Sequence, residues 1–123
     1  MIYTSYFARA NKLKDVCRIS ISLSTPTWAT VEYKLPIFAP TQEILYQYKR
    51  DNNVTRYAES YTNLLKQREP EITSMVNRLE KYAVDKTILL CCWEAPNKFC
   101  HRQILADYVK HGWTEYMESL ELI

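Results

Sequence analysis

Residues 87–109 read TILLCCWEAPNKFCHRQILADYV, and this stretch decides the fold. Ile88–Cys92 is a short apolar run bounded by polar residues, which reads as a buried strand. A polar loop follows, carrying Trp93, Glu94, Pro96 and Asn97. Cys100-His101-Arg102 then opens a segment over 101–111 with Ile104, Leu105, Tyr108 and Val109 at helical spacing, and Gly112 is placed to cap it. Strand, loop and helix start, in that order, form the unit of open α/β sheets. Such sheets bind ligands at the carboxyl ends of their strands.

Upstream lie three helical stripes. Glu69 precedes the nearest, with Pro70 in its first turn and Ile72, Met75, Val76, Leu79 and Tyr82 on one face. Residues 55–67 carry Tyr57, Ala58, Tyr61, Leu64 and Leu65 at the same spacing, and residues 42–50 carry Ile44, Leu45 and Tyr48 behind the capping Thr41. Residues 29–39 read as irregular, and Thr25-Pro26-Thr27-Trp28 as a turn, because proline cannot continue a central strand. Residues 16–24, VCRISISLS, alternate apolar and small polar side chains, the clearest strand signal in the chain. Residues 9–15 look like a loop or a single turn, and residues 2–7 are strand-like. Downstream, 115–122 reads as a final edge strand, with a short helix as the competing reading.

The expected fold is a single three-layer α/β domain over 1–123, with a mainly parallel sheet and helices on both faces. Strands 2–7, 17–24 and 87–92 are expected to be adjacent.

Bulk properties narrow the function. The chain has 123 residues, 47% hydrophobic and 24% charged, which suits one globular domain with a real core. No apolar run is long enough to span a bilayer, and the N-terminus lacks a secretion signal, so a cytoplasmic protein with no membrane partner is expected. In that reducing setting Cys17, Cys91, Cys92 and Cys100 are expected as free thiols. A net charge of +2 gives no strong signal for duplex nucleic acid. Gly112 is the one glycine, which excludes glycine-rich phosphate loops and nucleophile elbows. The ten tyrosines suit amphipathic helix faces, and could also serve a homo-oligomer contact.

Cys100, His101 and Arg102 sit where a helix begins. Its free N–H groups and positive dipole end favour an anion, Arg102 adds a fork of donors, and the same field lowers a thiol pKa. Glu94 could orient Arg102 or His101, or act as a base. Cys92, Cys100 and His101 match no paired-cysteine or two-histidine zinc spacing, so no metal and no cofactor is expected. A phosphatase-like loop from Cys92 to Lys98 must aim several N–H groups at one anion, which Trp93 and Pro96 make difficult.

Cys92-x-Glu94, then Pro96, then Cys100-His101-Arg102 after an apolar strand, resembles the signature of the domain of unknown function 488 family. The strand ending near Ser5 and the turn with Thr25, Pro26 and Trp28 are also similar, and the likeness runs from Met1 to about Gly112. Many members carry a Gly-His-Ser-like turn where this chain has Thr4, Ser5 and Tyr6, so a histidine role is missing there. The resemblance implies a small α/β domain with a cleft lined by the Cys-x-Glu and Cys-His-Arg residues, and a source in bacteria, archaea or their viruses. It fixes no reaction.

Three readings follow. The first is a binder of a phosphate-bearing, nucleotide-like small molecule, held by Arg102 with Ser5, Tyr6, Thr25, Trp28 and Trp93 around it. The second is an enzyme with Cys100 or Cys92 as nucleophile, His101 as acid/base and Glu94 as orienter. The third is a non-catalytic interaction protein.

Overall fold

The computed structural model describes residues 1–94 and 99–116. Five strands form one all-parallel sheet: β1 (Ile2–Tyr6), β2 (Cys17–Ser20), β3 (Tyr33–Lys34), β4 (Ile88–Cys92) and β5 (Thr114–Glu115), in the order β3-β2-β4-β1-β5. The chain is thus an α/β domain of the expected class. β4 is central, and every one of its residues is buried. That explains its continuous apolar run, since a parallel strand covered on both faces has no wet side.

Alternation along β4 divides the core. Ile88, Leu90 and Cys92 join a large cluster with Tyr57, Tyr61, Leu65, Ile72, Val76, Leu79 and Leu105. Leu89 and Cys91 join a smaller one with Phe7 and Ala10. The large layer comes from α2 (Gln42–Asp51), α3 (Val54–Gln67), α4 (Glu69–Tyr82) and α5 (His101–Val109). The single turn α1 (Phe7–Ala10) and the segment with Ala29 and Val31 cover the other face. The helical stripes match the buried positions of α3 and α4, whereas α2 buries none of its residues fully. Thr41 and Asn53 cap α2 and α3 through side-chain oxygens that accept from Ile44 and Arg56 N–H.

Four details differ from the sequence reading. β2 stops at Ser20 instead of reaching residue 24. The Ile21 N–H still reaches the Cys91 carbonyl, but the Ile21 carbonyl faces the His101 ring, and Ser20 Oγ takes up the Thr25 hydroxyl at 2.8 Å. Side chains have replaced the ladder there, so the alternation outlasts the strand. Within 29–39 the chain forms β3 and a 3-10 turn at Pro36–Phe38, where a two-residue edge strand leaves no periodic signal. Phe7 opens α1 instead of ending β1. Finally, Lys110, with φ 55°, ends α5 two residues before Gly112. Beyond Tyr116, the expected strand 115–122 lies outside the described residues.

The topology creates a switch point. From β1 the chain leaves along the α1 face toward β2 and β3. From β4 it leaves along the α5 face, over β1, to β5. Neighbouring strands whose connections depart in opposite directions leave a crevice beyond their carboxyl ends. Here those ends are Tyr6 and Cys92, which stand side by side in register.

Candidate functional site

The site gathers at this switch point because β4 ends at Cys92 and α5 begins at His101, immediately above β1 and β4. The Gln103 side-chain oxygen accepts from the Cys100 N–H at 3.2 Å, which anchors the first turn of α5.

Arg102 is fully buried, at 0% exposure, and its surroundings explain how a cation survives there. Nε donates to Glu115 Oε1 at 2.5 Å, while Nη1 donates to Cys92 Sγ at 2.8 Å and to the Glu94 carbonyl at 2.6 Å. The Tyr6 ring lies 5.9 Å from the guanidinium carbon, on the side where a cation meets a π face. Thr4 Oγ1 donates to the same Glu115 oxygen at 3.1 Å. Two atoms of this network, Arg102 Nη2 and Glu115 Oε2, are buried with no hydrogen-bond partner among the described residues.

His101 is also buried. Its Nε2 lies 2.7 Å from the Ile21 carbonyl and its Nδ1 lies 3.6 Å from Cys100 Sγ. Burial pushes its pKa down to about 4, against the Ile21 hydrogen bond, so the ring is neutral near pH 7. A carbonyl only accepts, so the neutral ring carries its proton on Nε2. Tyr61 meets the ring edge-on, with centroids 5.5 Å apart.

Cys92 and Cys100 are joined by a disulfide, which corrects the expectation that all four cysteines are free thiols. The contact arises because the start of α5 lies over the end of β4. Cys17 and Cys91 are free. Adjacent Cys91 and Cys92 face opposite layers, as strand alternation requires.

Of the ten residues singled out from sequence, five share this network through their side chains: Tyr6, Cys92, Cys100, His101 and Arg102. Glu94 joins by its backbone carbonyl, and its side chain is exposed. The carboxylate that pairs with Arg102 belongs to Glu115, and the group that orients His101 is the Ile21 carbonyl. Ser5 alternates to the face of Tyr3 and Leu89, where its hydroxyl is buried without a partner among the described residues. Thr25 is turned onto Ser20, Trp28 is exposed, and Trp93 donates to the Ser24 carbonyl while its ring meets Phe7 edge-on. Pro96 and Lys98 lie outside the described residues. Sequence reasoning missed Glu115 and Ile21. Glu115 was within reach, since a strand there, parallel to β1, pairs it with Thr4. A backbone carbonyl leaves no residue-type signal.

A family model described as the active DUF488-N3 subclade matches residues 2–112. The chain belongs to the DUF488 family. No curated protein and no solved structure matches it. In this DUF488 protein the matched span includes every element of the crevice except Glu115, which follows it. Among the described residues no helix is long and apolar enough to cross a membrane. A groove of about 580 Å³ lies at the opposite end of the sheet, lined by Met1, Cys17, Tyr33, Tyr82 and Lys86, away from this chemistry.

Proposed function

We propose that this protein binds a small phosphate-bearing ligand, nucleotide-like in character, at the carboxyl ends of β1 and β4, in a cytoplasmic setting. The observation that carries the reading is Arg102 Nη2, fully buried at the topological switch point and without a hydrogen-bond partner among the described residues. A buried donor without an acceptor is costly, and an anionic oxygen removes that cost. The N-terminal turn of α5 supports the same charge preference. The reading is narrower than a simple arginine clamp, because Nε and Nη1 are already committed to Glu115, Cys92 and the Glu94 carbonyl. Among the described residues Arg102 therefore has one nitrogen to offer, while its other contacts hold that nitrogen in place.

Thermal unfolding with adenosine monophosphate, adenosine and inorganic phosphate tests the proposal. A ligand at 100 times its Kd adds about 2.7 kcal/mol of stability. The monophosphate should raise Tm, phosphate should raise it less, and adenosine should leave it unchanged. Equal shifts for nucleotide and nucleoside, or no shift with any of the three, would overturn it. Arg102→Lys keeps the charge and loses the planar fork, so nucleotide affinity should fall about tenfold or more.

A thiol enzyme is the second reading, favoured by the 3.6 Å approach of His101 Nδ1 to Cys100 Sγ. Kept at this distance after reduction, the pair would have the arrangement of a nucleophile and its base. Fast alkylation of Cys100 near neutral pH after reduction supports it, and an inert Cys100 removes it.

A further inference from the structure

Two sulfurs and one imidazole nitrogen meet where β4 ends and α5 begins. The donor atoms of Cys92, Cys100 and His101 lie within 4.8 Å of one another, and all three residues are buried. We propose that, once the Cys92–Cys100 bond is reduced, this trio binds a borderline-soft divalent metal ion, for which zinc is the best chemical match. The inference is separate from the anion-binding reading, which concerns Arg102 Nη2.

Two thiolates and an imidazole are a zinc donor set. The imidazole is already prepared for it. With the proton of Nε2 directed at the Ile21 carbonyl, 2.7 Å away, Nδ1 turns its lone pair toward Cys100 Sγ. Metal-bound histidines are held in this way, by a carbonyl or carboxylate on the far nitrogen. Tyr61 packs edge-on against the ring and fixes its plane. Arg102 Nη1, 2.8 Å from Cys92 Sγ, supplies a charged donor to one of the sulfurs.

The backbone spacing agrees. The Cys92 and Cys100 α-carbons are 7.3 Å apart. Disulfides are usually spanned by about 4.4–6.8 Å. With metal–sulfur bonds of about 2.3 Å and tetrahedral angles, two thiolates on one ion stand about 3.8 Å apart, which suits the wider backbone. Charge agrees as well, because two thiolates neutralise a divalent ion at a buried site. Sequence spacing gave no sign of this, since one ligand comes from a strand end and two from a helix start. Three protein ligands leave a fourth position for water or a ligand oxygen, as in catalytic zinc sites.

The redox step balances simply. A dithiol gives two electrons and two protons to the Cys92–Cys100 bond and leaves as a disulfide. Each thiol then releases its proton on coordinating the ion.

The test uses the full chain, reduced with a dithiol, freed of it, and titrated anaerobically with cobalt(II), whose spectrum reports ligands directly. The expected result is one ion per chain, sulfur-to-cobalt charge-transfer bands, tetrahedral visible bands, and displacement by zinc. Cys92→Ser and Cys100→Ser should each weaken binding by more than the roughly 10- to 100-fold that loss of an outer-sphere partner costs. Cys17→Ser should leave it unchanged. Where a core variant fails to fold, wild-type protein still decides: zinc should protect Cys92 and Cys100 from alkylation and leave Cys17 open. Absence of cobalt binding by the reduced chain, binding without sulfur bands, or alkylation of Cys92 and Cys100 indifferent to zinc would overturn the proposal. The adenosine monophosphate experiment is run on metal-free protein, so failure of one reading leaves the other standing.

Discussion

The Arg102 guanidinium and the Glu115 carboxylate, 2.5 Å apart at Nε and Oε1, tie the first turn of α5 to the edge strand β5. Arg102 is fully enclosed, and Glu115 is 22% exposed at its side chain. A buried pair of this kind contributes little net stability when intact, but breaking it strands a charge. Arg102→Ala should therefore cost about 3–5 kcal/mol in urea unfolding. Glu115→Gln, which keeps a hydrogen-bond acceptor for Nε, should cost less. A loss below about 1 kcal/mol for Arg102→Ala would mean that the pair opens readily to water.

Acid should weaken a second pair, at the opposite end of the sheet. The Glu32 carboxylate accepts from the Arg18 N–H at 2.6 Å and from Arg18 Nη2 at 2.9 Å. Partial burial alone would raise its pKa, but the hydrogen bonds and charge of Arg18 win and hold it below the usual glutamate value. The unfolded state then takes up a proton first as pH falls, so this contribution is present above about pH 4.5 and fades below it. Glu32→Gln should cost about 1 kcal/mol or less at pH 7, and flatten the loss of stability between neutral and acid pH. Urea midpoints for both proteins across pH 3–7 decide the matter; parallel curves would exclude Glu32 from the acid response.

The pattern of legibility follows from what side chains can encode. β4 was readable because it is buried on both faces and has no polar position to interrupt it. α3 and α4 were readable because their buried residues fall at three and four. β2 was overread because the Ile21 carbonyl leaves the ladder to meet His101, which no local pattern announces. β3 was invisible at two residues. At the site, residue types pointed to Cys92, Cys100, His101 and Arg102, which do come together. Their partners depended on tertiary contacts, so Glu94 stood in the reading where Glu115 stands in the structure.

Alkylation should sort the two free cysteines. Cys91 is fully buried, and burial pushes its pKa up to about 12. Cys17 is half-buried, and burial together with Glu32 raises its pKa as well. The thiolate is the reactive form. In the native, unreduced protein, iodoacetamide at pH 8 should label Cys17 slowly and leave Cys91 untouched until denaturant is added. Rapid labelling of Cys91 would show that the layer formed by α1 opens far more often than its packing implies.

Tyr61 links the core to the site. Its hydroxyl donates to the Phe38 carbonyl at 2.5 Å, and its ring packs edge-on against His101. The residue is fully buried, which also lifts its pKa well above that of a free phenol. Tyr61→Phe keeps the ring and removes only the donor. The Phe38 carbonyl then loses its phenolic partner inside the core, and such a loss costs about 1–3 kcal/mol. Because the ring remains, the His101 contact should survive, and cobalt binding by the reduced variant should equal that of the parent. Tyr61→Leu removes donor and ring together, so it should lose both stability and metal affinity. If Tyr61→Phe weakened cobalt binding as much as Tyr61→Leu, the hydroxyl would have to position His101 through the 3-10 turn at Pro36–Phe38, and the ring contact would carry no weight.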